Sequence, residues 1–322
     1  MPLRLLRHHE IDLAAWDACV ASARQQVSYA YSWWLQATAG RWEALVEMGP
    51  SGEYQLVLPL PVRHRLGGLE VYQPPFTQQL GLFTAAPGAT CSVDDVLQAG
   101  AGSLRYTRFY TQLNDQNPLS VSGSLTTGLG TVALQTTPRL TYQLRLEVAY
   151  ETLHLAYAAD YRRRLRQLAA SAYCVTPASE AEPLLQLFRQ TTGRSAGLKS
   201  RHYGLLRNLI GALQERGLLE IREVRHPHTY ELLAGALFVK DRTRLIYLFA
   251  AASAEGKKAG APLLLLDQQI RRYAGTPGLL LDFEGGMIPS IARFFANFGA
   301  TPVPYAALSF TSHRPWYLSW MR

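Results

Sequence analysis

The spacing of apolar residues along this chain switches repeatedly between a helical and an extended period. LAAWDACVASA (13–23) and YAYSWWLQATAG (29–40) have helical spacing. WEALVEMG (42–49) and EYQLVLPLPVRHRL (53–66) read as paired strands around a turn of Pro50, Ser51 and Gly52. GGLEVYQPPFTQQLGLF (67–83) begins as a strand and turns irregular at its prolines. SVDDVLQAGAGSL (92–104) predicts a helix opened by Ser92, and YTRFYTQLN (106–114) a strand. The polar, glycine-rich stretch 114–130 predicts a long loop, and 131–148 returns to strands.

The second half opens with 149–172, which reads as one long basic helix, followed by a short strand at 173–179. Helices are expected at 180–193 and 200–217, each ending on glycine. LLEIREVRH (218–226), YELLAGALFVKD (230–241) and RLIYLFAAAS (244–253) form an antiparallel run. Then come a Gly/Lys loop, AEGKKAGA (254–261), and a proline-led amphipathic helix, PLLLLDQQIRRYA (262–274). A strand, GLLLDFEGG (278–286), a second proline-led helix, PSIARFFANFGA (289–300), and a last strand, TPVPYAALSF (301–310), complete the order. This is an α/β chain, of the α+β kind with mixed sheets. Each half offers two helices, strands, a helix and strands, an order compatible with two copies of one fold. The expected domains are residues 1–143 and 144–310, with the aromatic, basic tail 311–322 packing back on the first.

Composition narrows the picture. The 322 residues suffice for two ordinary domains, and 48% hydrophobic with 17% charged residues suits a packed globular protein. No apolar run reaches the roughly 18–20 residues that span a bilayer. The first twenty residues carry His8, His9, Glu10, Asp12 and Asp17 and do not read as a secretory signal, so a cytoplasmic location is expected. Cys19, Cys91 and Cys174 form no CxxC pair, which predicts free thiols and no zinc site. The eight histidines show no HExxH spacing, so no metal is expected, and the absence of GxSxG argues against a hydrolase elbow. A net charge of +8 favours an anionic partner such as a nucleotide or nucleic acid.

The second half resembles the GCN5-related N-acetyltransferase (GNAT) fold and, within it, the FemAB-like peptidyltransferases. The segments that carry the likeness are 159–175, 188–210, 217–224, 231–253 and LDFEGGMIPSIARFFANFGA (281–300). The resemblance implies two tandem GNAT-like domains with a cleft between them. It also implies an acyl or aminoacyl transfer from an activated donor, acyl-CoA or aminoacyl-tRNA, to a primary amine. The acceptor would be a small molecule or an envelope precursor. Such transfer needs positioning and an oxyanion-binding backbone N–H more than a catalytic triad.

Four groups of residues are candidates for the site. Gly256, Lys257, Lys258, Ala259, Gly260 and Ala261 stand where acetyltransferases of the superfamily carry Q/R-x-x-G-x-G/A, the CoA pyrophosphate pattern, here incomplete. Asp282 and Glu284 lie at a strand end beside glycines, where α/β ligands collect, and either could take a proton from the attacking amine. Tyr72, Gln73, Phe76, Gln78 and Gln79 form a rigid, amide-rich segment suited to a polar acceptor. Arg194, Lys199 and Tyr203 could hold a phosphate or carboxylate. Against each stands a structural reading: a turn, an ion pair, a strand end, a solvated basic loop. The competing functional reading is a binding protein that keeps the fold without catalysis.

Overall fold

The computed structural model describes residues 3–65, 68–85, 91–117 and 123–312. The chain divides into two compact units, one of residues 1–139 with 304 onward, the other of residues 140–303. The tail expected to pack on the first domain lies, from 313 on, outside the described residues.

In the first unit the strands are β1 (Arg4–Leu6), β2 (Trp42–Met48), β3 (Tyr54–Arg65), β4 (Gly68–Val71), β5 (Phe83–Thr84), β6 (Arg108–Gln112), β7 (Gly123–Thr127) and the start of β8 (Gly130–Arg145). Its helices are α1 (Leu13–Ser22), α2 (Ser32–Thr38) and α3 (Val93–Gly100). Ser92 caps α3 as its sequence predicts, accepting from the Asp95 N–H at 3.1 Å. Trp16, Trp34 and Trp42 are fully buried. The Trp16 and Trp34 indoles donate to Ala30 O (2.8 Å) and Thr77 Oγ1 (3.0 Å), whereas the buried Trp42 Nε1 has no hydrogen-bond partner. The expected loop 114–130 is corrected: Gly123–Thr127 is a strand that pairs with β8. Gly130, at φ 116°, supplies the backbone of the tight turn between them.

The second unit holds the rest of β8, then β9 (Val175–Ala178), β10 (Leu219–Arg225), β11 (Leu232–Lys240), β12 (Arg244–Ala252), β13 (Leu280–Asp282) and the start of β14 (Thr301–Thr311). Its helices are α4 (Tyr150–Leu155), α5 (Ala159–Ala169), α6 (Glu182–Gln190), α7 (Thr192–Ser195), α8 (Ser200–Glu215), α9 (Ala254–Ala259), α10 (Ala261–Tyr273) and α11 (Pro289–Ala296). The strand order here is β8-β13-β12-β11-β10-β9, and every neighbour is antiparallel except β12 and β13. In the first unit β14 returns to pair antiparallel with β6, and β4 pairs parallel with β6.

Two further expectations are corrected. The single helix at 149–172 is broken into α4 and α5, because Tyr157 turns into the core against Phe298, and the Ala158 N–H bonds Asn297 O at 2.9 Å. The Gly/Lys loop is helical: α9 runs to Ala259, and Gly260 breaks it at φ 82° before α10.

Gly256 packs directly on β11, where an added Cβ would lie 2.0 Å from Leu233 O. Gly256→Ala should therefore cost about 1–3 kcal/mol. Gly211→Ala, at an open position within α8, should stabilise by about 0.5–1 kcal/mol. Urea unfolding of the two variants measures both, and equal effects would refute this assignment of Gly256.

Candidate active site

The parallel strands β12 and β13 pair only from Arg244/Leu280 to Ile246/Asp282. Beyond that point β13 ends, while β12 continues to Ala252 along β11. Among the described residues no strand covers this stretch of β12 on the β13 side. A bulge falls here: Leu237 pairs with Phe249 but Phe238 pairs with Tyr247, so Leu248 is the extra residue. A bulge interrupts the ladder and re-aims backbone groups. Alternate N–H groups of β12 therefore face the gap, where a developing negative charge would find donors.

Asp282 sits at the point of divergence and is fully buried. Its carboxylate accepts from Thr141 Oγ1 (2.8 Å), Gln143 Nε2 (3.2 Å), Arg244 Nη1 (2.8 Å) and the Glu284 N–H (3.0 Å). Four donors, one of them a guanidinium, fasten β8, β12 and β13 together. This occupancy makes Asp282 an organiser of the strand end and leaves it poorly placed to take a proton. Glu284, two residues on, is half-buried and adopts φ 53°, the left-handed region. A non-glycine residue there costs on the order of 1 kcal/mol and persists only where the surroundings impose it. The bond from its N–H to Asp282 is one such constraint. Phe283 and Phe295 stack at 4.6 Å behind it, and Met287, Ile288 and Ile291 are exposed alongside.

The segment 254–261 offers fewer free groups than its glycines suggest. Ser253 Oγ accepts the Gly256 N–H at 2.9 Å, and Arg164 Nη2 donates to Lys258 O at 2.6 Å. Gly256 and Ala261 are buried, whereas Lys257 and Lys258 are exposed at the last turn of α9. Ala259 closes α9, and Gly260 lies against Arg164 and Leu168.

Among the remaining candidates, Tyr203 is a core residue packed on Phe188 and Gly193. Arg194 lines an open cavity with Gln186, Arg189 and Gln190. Lys199 is exposed at the start of α8, where burial and the charges of Arg201 and Lys199 hold the His202 imidazole below its ordinary pKa.

The first unit repeats the divergence and closes it. Parallel pairing of β4 with β6 is limited to Glu70 with Arg108. Past it, Gln73 Oε1 accepts the Gln112 N–H (2.9 Å), the Leu80 N–H donates to Gln112 O (2.7 Å), and Leu80 bridges Leu113. Gln73 Nε2 also donates to Thr77 O at 2.7 Å, and Phe76 adopts φ 58°. Gln78 Oε1 and Gln79 Nε2 are buried without a hydrogen-bond partner, an uncommon state for buried amides. Tyr72 lies under the Arg63 guanidinium at 4.6 Å.

Residues 156–287 match the family described as acetyltransferase (GNAT) domain, wholly within the second unit. The fold is similar to that of FemX: TM-score 0.67 at 14% identity, covering 99% of this chain and 100% of that one. A tandem GNAT protein from the clavulanic acid biosynthesis pathway gives 0.54 at 12%, covering 97% and 99%. The C-terminal domain of a putative lysylphosphatidylglycerol synthetase from Agrobacterium fabrum gives 0.51 at 11%, covering 92% and 91%. No curated protein sequence matches the chain. The fold is thus similar to those of FemX and of a tandem GNAT protein, as the sequence motifs implied, and the match over 156–287 agrees with acyl transfer. Among the described residues no helix is long and apolar enough to cross a membrane.

The sequence pointed to the strand end at 282–284 but not to its partners Thr141, Gln143 and Arg244, which no local motif marks. Asp282→Ala should cost about 3–5 kcal/mol in urea unfolding, because it strands the nearly buried Arg244 charge. A loss below about 1 kcal/mol would remove the organising role.

Proposed function

We propose that this protein is an N-acyltransferase that moves an acyl or aminoacyl group from an activated donor to a primary amine. The observation that carries the reading is the parting of β12 from β13 within a segment that matches a GNAT domain. The acyl carbonyl would lie against the free edge of β12 past Ile246. Its oxygen gathers negative charge as the amine attacks, and the β12 N–H groups stabilise that charge without reorganising.

Glu284, held in place by its strained backbone and by Asp282, is the assigned base that takes a proton from the acceptor ammonium, so that the free amine forms the amide bond as the thioester or ester bond to the donor breaks and the donor leaves as its thiol or hydroxyl. The donor carries phosphate, acyl-CoA or aminoacyl-tRNA, and Lys257 and Lys258 with the Gly260–Ala261 start of α10 are assigned to it. The acceptor is assigned to Tyr72, Phe76, Gln78 and Gln79, with Gln73 holding the segment's shape. The unmet amide atoms of Gln78 and Gln79 support that choice. Arg194 and Lys199 are assigned to an anionic part of a substrate.

Two measurements test the reading. Millimolar CoA should raise the melting temperature, or a short aminoacylated RNA hairpin should bind with an affinity that falls steeply with salt. Neither response would favour the non-catalytic reading. With the donor identified, Glu284→Gln should lower kcat by about 10²–10⁴ with little change in KM. Unchanged turnover would remove Glu284 from the chemistry.

A further inference from the structure

The first unit holds a cavity of about 360 Å³ whose walls include Arg63, Tyr72, Arg108, Tyr110, Ser309 and Thr311. Glu70, a carboxylate with only 6% of the residue exposed, also lines it. Arg63 Nε stands 3.3 Å from Glu70 Oε2, Arg65 Nε 4.0 Å from the same oxygen, and Arg108 Nη1 4.0 Å from Oε1. Three guanidinium charges, two of them from the lining residues Arg63 and Arg108 and one from Arg65 beside the lining, stand around one carboxylate and leave two positive charges in excess. All three side chains are 41–56% exposed and retain donors that Glu70 cannot use.

Arg63 is fixed by its bond to Glu70 and by the Tyr72 ring beneath it. Arg139 Nη2 donates to the Tyr110 hydroxyl at 2.9 Å, which orients that hydroxyl to donate its own hydrogen elsewhere. Ser309 and Thr311 add hydroxyls on β14. A folded domain gains little from crowding three cations around one anion, so the excess calls for an anionic occupant.

We propose that this pocket binds a phosphate monoester. A monoester carries about −1.5 to −2 charges at neutral pH, which matches the excess, and its oxygens suit guanidinium forks. The cavity, near the lower limit of ordinary ligand pockets, admits a small phosphorylated molecule. The inference rests on the charges around Glu70 and does not depend on acyl transfer.

Isothermal titration calorimetry tests it with inorganic phosphate, phenyl phosphate and acetate at matched ionic strength. Phenyl phosphate should bind saturably with Kd of about 1 mM or tighter, and acetate at least about tenfold more weakly. Inorganic phosphate binding as tightly as phenyl phosphate would assign the pocket to the free ion and overturn the monoester. Arg63→Ala and Arg108→Ala should each weaken phenyl phosphate about tenfold or more. Arg63→Lys and Arg108→Lys, which keep the charge and lose the fork, should also weaken it, with melting temperature confirming the fold. Glu70→Gln removes the competing charge and should tighten binding. Equal affinity for acetate and phenyl phosphate, or wild-type affinity in both alanine variants, would overturn the proposal.

Discussion

The carboxylate of Asp282 is the constraint on which the geometry of the second unit depends. It is completely buried, and it joins β8 through Thr141 and Gln143, β12 through Arg244, and its own chain through Glu284. A buried charge is tolerated only when its lone pairs are met, and here four donors meet them. The lock sits where β12 and β13 stop pairing. It therefore sets where the sheet opens, and through Glu284 it sets the backbone conformation at the lip of the opening.

The two units apply one topological device to different ends. Each contains a parallel strand pair linked through helix and each lets the pair part after a short contact. In the first unit the gap is taken up by the chain itself, with the Gln73 amide standing in for a backbone carbonyl towards Gln112. In the second, β12 keeps a free edge with a bulge at Leu248. The difference lies in the residues that follow the first strand of the pair. A proline-rich segment folds back in one case, and a helix leads away in the other.

Much of the fold was legible because its elements obey simple periods. The antiparallel run β10 to β12, the capped helix α3 and the proline-led helices α10 and α11 follow from spacing and cap chemistry. What escaped was set by distant partners. The break before α5 has no glycine or proline to announce it and exists because Tyr157 finds Phe298. The strand at Gly123–Thr127 reads as a loop by composition and is fixed by its hairpin partner β8. Gly256 looked like room for a ligand and is room for Leu233 O. At the candidate site the two acidic residues were visible in the sequence, but the four-donor lock on Asp282 was not. It depends on Thr141, Gln143 and Arg244, as many as 141 residues away along the chain.

The first unit is assembled from both ends of the described chain, with β14 laid beside β6 and the whole second unit inserted between. This nesting orders events during synthesis. Residues 140–303 leave the ribosome as a complete unit while the first still lacks β14. The exposed edge of β6 must therefore wait, unpaired, through the translation of nearly two hundred residues, about ten to forty seconds at ordinary elongation rates. Over that interval the edge is open to strand pairing with other chains, so co-translational handling of the first unit bears directly on how much of the protein reaches its native state.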